Sequence, residues 1–148
     1  MSSALHYVIN LLARREYSEA EIRHKMQQKA FSPEEIEQAI QYCQQKNWQS
    51  DLRFCESYIR TRSQRGYGKL RIKQELNYLK GIDDETLNTV FDGMQIDWEE
   101  LALTTLSKKF PHFAQVKDLK TKQKIWRYMA SHGFYAEEFS HYIGQGDE

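Results

Sequence analysis

The chain has 148 residues, 40% of them apolar and 13% aromatic, with 21 Lys/Arg against 21 Asp/Glu and only 2 Pro and 7 Gly. That composition suits a helical globular protein and argues against a disordered, collagen-like or Gly-rich barrel chain. No apolar run approaches the roughly 20 residues of a membrane helix. The start MSSALHYVIN has no basic segment leading into an apolar one, so secretion is not expected and the cytoplasm is the expected compartment.

In chain order, Leu5, Val8, Ile9 and Leu12 form the apolar face of a first helix. Ser18-Glu19-Ala20-Glu21 is a capping box that opens a second, and Ser32-Pro33-Glu34-Glu35 opens a third with proline at the first helical position. Asp51 to Arg62 reads as a helix with Phe54, Cys55, Tyr58 and Ile59 on one face. Arg62 shares that face, so its guanidinium is expected half-buried, stacked on an aromatic ring or paired with a carboxylate, in a structural role. Gly66 and Gly68 mark a turn, and Gly68 to Lys80 reads as a helix with Ile72, Leu76 and Leu79 on an apolar stripe beside a basic stripe of Lys69, Lys73 and Lys80.

Asp83 caps the next helix, whose buried face is Leu87, Val90, Phe91 and Met94. Asp97 with Glu100 opens another that runs to Phe110, where Pro111 ends it. A helix from about Asp118 carries Trp126 and Met129, and a last one from about Tyr135 lacks a good cap. Residues 145–148 are expected to be disordered.

These elements repeat. Tyr17 to Ile40 aligns with Tyr67 to Phe91 given one inserted residue, matching Ile22 with Ile72, Met26 with Leu76 and Ile36 with Leu87. Ile125, Met129, Phe134, Phe139 and Ile143 stand at a constant offset from Ile22, Met26, Phe31, Ile36 and Ile40. The expected fold is all-α, an elongated array of three tandem three-helix repeats at 1–50, 51–96 and 97–144. Such an array offers a surface rather than a pocket.

Neutral net charge hides segregation. Arg53 to Lys80 holds 8 Lys/Arg against 2 Asp/Glu, Gly81 to Glu100 holds 7 acids and no base, and Leu101 to His132 holds 7 bases against 1 acid. Lys117, Lys120, Lys124 and Arg127 fall on one helical face opposite Leu119, Ile125, Trp126 and Met129. Few acids stand four residues away to neutralise these stripes, Glu75 beside Arg71 being the exception, so an anionic partner is one explanation and a merely solvated face the other. The candidate binding residues are therefore Arg53, Arg60, Arg65, Lys69, Arg71, Lys73, Lys80, Lys117, Lys120, Lys124 and Arg127 in the basic zones, and Asp83, Asp84 and Glu85 in the acidic one. Tyr67 and Trp126 are candidates for stacking on bases.

Catalytic chemistry has no foothold in the pattern. His6, His24, His112, His132 and His141 form neither HExxH nor a Cys/His cluster and read as surface residues; there is no phosphate loop and no GxSxG. Cys43 and Cys55 sit on apolar faces and read as buried free thiols. No enzyme activity, metal or cofactor is expected. A groove-reading helix-turn-helix protein is disfavoured too, because the third helices carry Glu34, Glu35 and Glu37, or Asp83, Asp84, Glu85 and Asp92, which phosphate repels.

One likeness goes beyond pattern. Asp51-x-Arg53-Phe54, Tyr58-Ile59-x-x-Arg62, the Gly66-Tyr67-Gly68 turn, Ile72-x-x-Glu75-Leu76 and Lys80-Gly81-Ile82, continuing through Ile96-Asp97-Trp98, resemble the central repeat of the RecX family of bacterial regulators. The resemblance covers most of the chain. It implies a regulator that modulates, usually inhibits, the RecA recombinase filament on single-stranded DNA, damping its ATPase, strand exchange and repressor cleavage in recombination, DNA repair and the SOS response; a monomer is the expected state. No cofactor is implied. The implied mode is docking along the filament groove, bridging protomers and blocking growth or loosening the assembly. The other reading is a general nucleic-acid binder that uses the basic stripes as phosphate contacts, and weak direct DNA binding is compatible with both. The stretch departs from the family pattern by one extra residue in Asn77-Tyr78-Leu79.

Overall fold

The computed structural model describes residues 2–143, so the expected tail at 145–148 lies outside the described residues. Nine α-helices and no strand occur among them: α1 (Ser3–Arg14), α2 (Glu19–Gln28), α3 (Pro33–Gln45), α4 (Asp51–Gln64), α5 (Lys69–Tyr78), α6 (Asp84–Met94), α7 (Trp98–Lys109), α8 (Leu119–Ser131) and α9 (Ala136–Ile143). A 3-10 turn at Phe113–Gln115, which the sequence pattern did not announce, follows α7. The architecture is all-helical and written as three consecutive three-helix groups.

Local chemistry sets the helix starts. Ser18 and Ser32 each accept from the amide three residues on, while Glu21 and Glu35 reach back to the serine amides, so both capping boxes are complete. Asp97 and Asp118 cap α7 and α8, and Asp83 accepts from Thr86 N at 2.8 Å at the start of α6. Each cap satisfies an amide that would otherwise lack a partner, worth about 1 kcal/mol. α9 has no capping hydroxyl or carboxylate at Tyr135; instead Glu138 accepts from Tyr135 N at 2.7 Å, half of a capping box.

Packing follows the repeat alignment. In the first group α1, α2 and α3 bury Ala4, Val8, Leu11, Tyr17, Ile22, Met26, Ile36, Ala39, Ile40 and Cys43 in one core. In the third, α7, α8 and α9 bury Ala102, Leu106, Ile125, Met129, Phe134, Phe139 and Ile143. Ile22, Met26 and Ile36 are matched in the middle of the chain by Ile72, Leu76 and Leu87, all buried. Each such side chain contributes about 1.5–3 kcal/mol of hydrophobic stabilisation.

The end of α5 differs from expectation. Leu79 is not on the buried stripe but 71% exposed, and Ile82, at 2%, takes the inward place. The turns after α2 and α8 close by a bond five residues back, Phe31 N to Met26 O and Phe134 N to Met129 O, as in a Schellman cap. After α5 the closing bond runs six residues back, Ile82 N to Leu76 O, through Gly81 in the left-handed region at φ 71°. α5 ends at Tyr78, in step with Gln28 of α2 and Ser131 of α8, so the inserted residue lengthens the turn that follows and leaves Leu79 beyond the helix end, facing outward. Lys80 lies beyond the helix end, so it does not share a helical stripe with Lys69 and Lys73.

The described residues fall into two compact units. One is drawn from Met1–Tyr58 with Glu75–Met94, the other from Ile59–Gln74 with Gln95–Glu148, so the division passes inside α4 and α5.

Candidate partner-binding surfaces

The basic face of α8 is built by a cap and a heptad-like spacing. Asp118 fixes the start of the helix by accepting from the Thr121 amide at 2.9 Å, and the Thr121 hydroxyl and amide together hold its carboxyl below the usual range. From there Lys120, Lys124 and Arg127 stand one above another, all exposed, while Ile125 and Met129 are fully buried on the other side. Trp126 packs edge-on against Phe139 with ring centroids 4.9 Å apart, rather than standing clear as a stacking platform. Two details differ from the sequence reading. Lys117 precedes the cap residue in non-helical chain, so three of the four cations, not four, share the helical face. Leu119, placed on the apolar side, is exposed.

The turn before α5 holds a stack of rings and cations. The Arg62 guanidinium lies 4.1 Å and that of Arg71 4.3 Å from the centroid of Tyr67. The Tyr67 ring stacks on His132 at 5.3 Å, and His132 stacks on Tyr128 at 4.0 Å. His132 Nδ1 is 2.9 Å from Tyr128 O, a carbonyl that can only accept, so the proton sits on Nδ1. Arg71 also donates to Ser131 O at 3.2 Å. Arg62 is thus half-buried on an aromatic ring, the geometry that suits a structural role. His132 is not the surface histidine the sequence suggested, and Tyr67 is engaged by three neighbours. No local signal could have joined the two halves of this stack, since Tyr67 and His132 lie 65 residues apart in sequence.

Two residues grouped with the basic zones are held by carboxylates. Arg53 pairs with Glu16 at 2.9 Å and also donates to Asn47. Lys80 pairs with Glu21 at 3.0 Å, and Glu21 in turn is 3.3 Å from Arg15. The idea of an uncompensated stripe through these positions is corrected by geometry, because their partners lie 37 and 59 residues away in sequence rather than one helical turn. Arg60 and Arg65 are exposed, and Lys69, Lys73 and Arg71 are half-buried.

A shallow cleft of about 250 Å³ lies between Ser63–Gly66 and α7, with Arg65, Lys108 and Lys109 on its walls and Tyr128 at one end. Lys108 and Lys109 counted in the charge balance but were not singled out in sequence; their place in the last turn of α7 and near Arg65 makes them part of the same basic surface.

The acidic zone is compact. Asp83, Asp84 and Glu85 are all exposed at the first turn of α6, where the helix dipole favours them. The Thr86 amide and hydroxyl hold Asp83 below the usual carboxylate range. Asp84 accepts from the Asn77 side chain at 3.3 Å.

Neither cysteine is set up for nucleophilic chemistry. Burial pushes both thiols up, Cys55 to about 12 with Asp51, Asp83 and Glu56 adding to it. Among the described residues there is no group of three or more His, Cys, Asp or Glu able to hold a metal ion, and no helix long and apolar enough to cross a membrane.

Comparison with known proteins matches this arrangement along the chain. Family models of the first, second and third three-helix domains of RecX match residues 4–43, 50–90 and 97–143. "Regulatory protein RecX" of Mannheimia succiniciproducens is 60% identical over 145 residues, covering 98% of this chain and 95% of that protein. The protein of the same name from Pasteurella multocida is 57% identical, covering 97% of this chain and 87% of its own. Among solved structures, RecX from Lactobacillus salivarius superposes with a TM-score of 0.81 at 21% identity, over 97% of this chain and 94% of that one, which shows the shared fold. On the three successive domain matches and the near-complete coverage by close relatives, the chain belongs to the RecX family of regulatory proteins.

Proposed function

We propose that this chain is a non-catalytic regulator that binds the RecA filament on single-stranded DNA in the cytoplasm and restrains its ATPase, strand-exchange and coprotease activities. The observation that carries the reading is full-length similarity, at 60% identity, to a protein named as a RecX regulator. The surfaces support it. A filament repeats one charged protomer many times over, and a chain with exposed cations at Lys120, Lys124 and Arg127 and exposed acids at Asp83, Asp84 and Glu85 has zones of both signs to orient itself on such a lattice. Within this reading the residue groups 1–50, 51–96 and 97–144 act together as one docking array, and the protein works as a monomer.

Hydrolysis of ATP by RecA on single-stranded DNA, with this protein added far below the protomer concentration, tests the reading. Inhibition at such ratios means action on the assembled filament or its growing end. Inhibition only when the protein approaches the number of DNA sites means competition for phosphate. The second reading, a general nucleic-acid binder, draws on one observation: no salt bridge engages Lys117, Lys120, Lys124 or Arg127 among the described residues. If those four cations all meet phosphate, log K on single strands falls with log salt at a slope of about −3. The triple variant Lys120→Glu, Lys124→Glu, Arg127→Glu then loses bare-DNA binding, whereas under the filament reading reversal of the acidic zone weakens inhibition as well.

A further inference from the structure

Tyr78 and Leu79 are the most exposed large apolar side chains among the described residues, at 80% and 71%. They are adjacent, and they project from a turn that is held firmly. Leu79 N donates to Glu75 O at 2.9 Å, Ile82 N to Leu76 O at 3.1 Å, and the Asn77 side-chain Nδ2 to Ile82 O at 3.0 Å. An apolar pair on a fixed turn loses little conformational freedom when it is covered.

The chain supplies its own control. The corresponding turns after α2 and α8 are made by Gln27-Gln28-Lys29 and Ala130-Ser131-His132, without a large aliphatic residue or a tyrosine, and each closes one residue sooner. The fold therefore closes this turn twice without such a pair. Neither the extra residue nor the exposed Tyr78 and Leu79 pair is needed to close it.

The rim of the turn decides what kind of partner fits. Asp84 is tied to Asn77, one residue from Tyr78, and Asp83 and Glu85 flank it, all exposed. No Lys or Arg occurs from Gly81 to Glu100, and the one cation of the turn, Lys80, is paired with Glu21. An apolar knob with an anionic rim repels a phosphate backbone and complements an apolar pocket edged by Lys or Arg. We propose that the Tyr78–Leu79 knuckle is an anchor for a protein partner, seated in a cation-rimmed apolar pocket on it. The proposal rests on the filament-regulator reading and assigns its protein contact to the end of α5, apart from the basic face of α8.

The test uses the full chain with Tyr78→Ser/Leu79→Ser, and separately with Asp84→Lys/Glu85→Lys, against the unaltered protein. Two affinities are measured by anisotropy of the labelled protein: for RecA filaments on single-stranded DNA and for the same DNA bare. Both variants are expected to bind filaments about tenfold or more weakly, as loss of a central anchor does. The apolar double variant is expected to keep its bare-DNA affinity to within about twofold and its unfolding midpoint, since it alters only exposed groups. Filament affinity unchanged by Tyr78→Ser/Leu79→Ser overturns the anchor and leaves the regulator reading standing. An equal loss on bare DNA overturns it as well, because the pair would then be stacking on bases. If the unaltered protein fails to bind filaments at all, the regulator reading falls first and takes the anchor with it.

Discussion

The same joint is made twice in this chain, with different materials. In the unit that contains α2, the start of that helix meets the turn after α5: the Ser18 hydroxyl donates to Lys80 O at 3.0 Å, and Glu21 pairs with Lys80 at 3.0 Å. In the other unit the start of α5 meets the turn after α8: Gly68 N donates to His132 O at 2.7 Å and Leu70 N to Gly133 O at 3.0 Å. Ser18 and Gly68 occupy equivalent places, as do Gly81 and Gly133. The first joint is fastened by a side-chain hydrogen bond and an ion pair, with Gly81 packed against the Ala20 side chain; the second is backbone against backbone, which only residues without a Cβ permit. Side-chain joints degrade by steps under mutation, whereas a backbone joint fails when one methyl is added.

The largest expected effect follows from that difference. A Cβ at Gly68 would overlap the carbonyl of Gly133, and neither side is the end of a flexible side chain, so Gly68→Ala is expected to cost about 3 kcal/mol in urea unfolding. Gly93→Ala is the matching control, since nothing lies within 4 Å of its Cβ and it sits inside α6; it is expected to be neutral or to stabilise by about 0.5 kcal/mol. Equal costs at the two sites would mean that the second joint has room to open and is no more rigid than the first.

A smaller loss is expected at the first joint. Ser18 is fully buried, accepts from Glu21 N at 3.1 Å and donates to Lys80 O, so Ser18→Ala removes a cap and leaves a carbonyl without its donor, for about 1–2 kcal/mol. The Glu21 to Lys80 pair remains and limits the damage. A cost at or above that of Gly68→Ala would reverse the ranking of the two joints.

What the sequence disclosed depended on how far apart the interacting residues are. The capping boxes at Ser18 and Ser32 and the caps at Asp83 and Asp97 span three residues each, and all are present. The repeat alignment pointed to Ile22, Ile72 and Ile125 as equivalent, and all three are fully buried. Long-range pairs left no such trace: Arg53 with Glu16, Lys80 with Glu21, and the Tyr67, His132 and Tyr128 stack need the folded chain to bring them together. Leu79 was misplaced for a different reason. α5 ends at Tyr78, so a helical periodicity carried past that end no longer says which way Leu79 faces. The partner-binding residues are legible only as charge zones, because a solvated basic face and a docking one share the same spacing; Lys117 and Leu119 show that even the wheel slips where a cap sets the helix start one residue late.

The finest contrast is electrostatic, between two glutamates that do the same local job. Glu21 and Glu138 each accept from the amide three residues back, Ser18 N at 3.0 Å and Tyr135 N at 2.7 Å. Burial raises both. At Glu21 the bonds from Arg15, Ser18 and Lys80 together outweigh it and the carboxyl ends below its ordinary 4.5; at Glu138 burial prevails over Tyr135 and Lys69, with Glu137 and Glu99 adding to the rise. The signs for stability are therefore opposite. Glu21, depressed in the folded state, contributes stability that is present above pH 4.5 and is lost as pH falls through its folded value. Glu138, raised in the folded state, binds its proton more tightly when folded, so it favours the folded chain below pH 4.5 and this advantage fades as pH rises through its folded value. Urea midpoints of Glu21→Gln and Glu138→Gln followed from pH 7 to pH 3.5 read this out. The gap between the unaltered protein and Glu21→Gln is expected to shrink on acidification, and the unaltered protein is expected to gain on Glu138→Gln over the same range. Shifts in the same direction would mean that the two carboxylates sit in equivalent fields, and that Arg15 and Lys80 hold Glu21 by position alone.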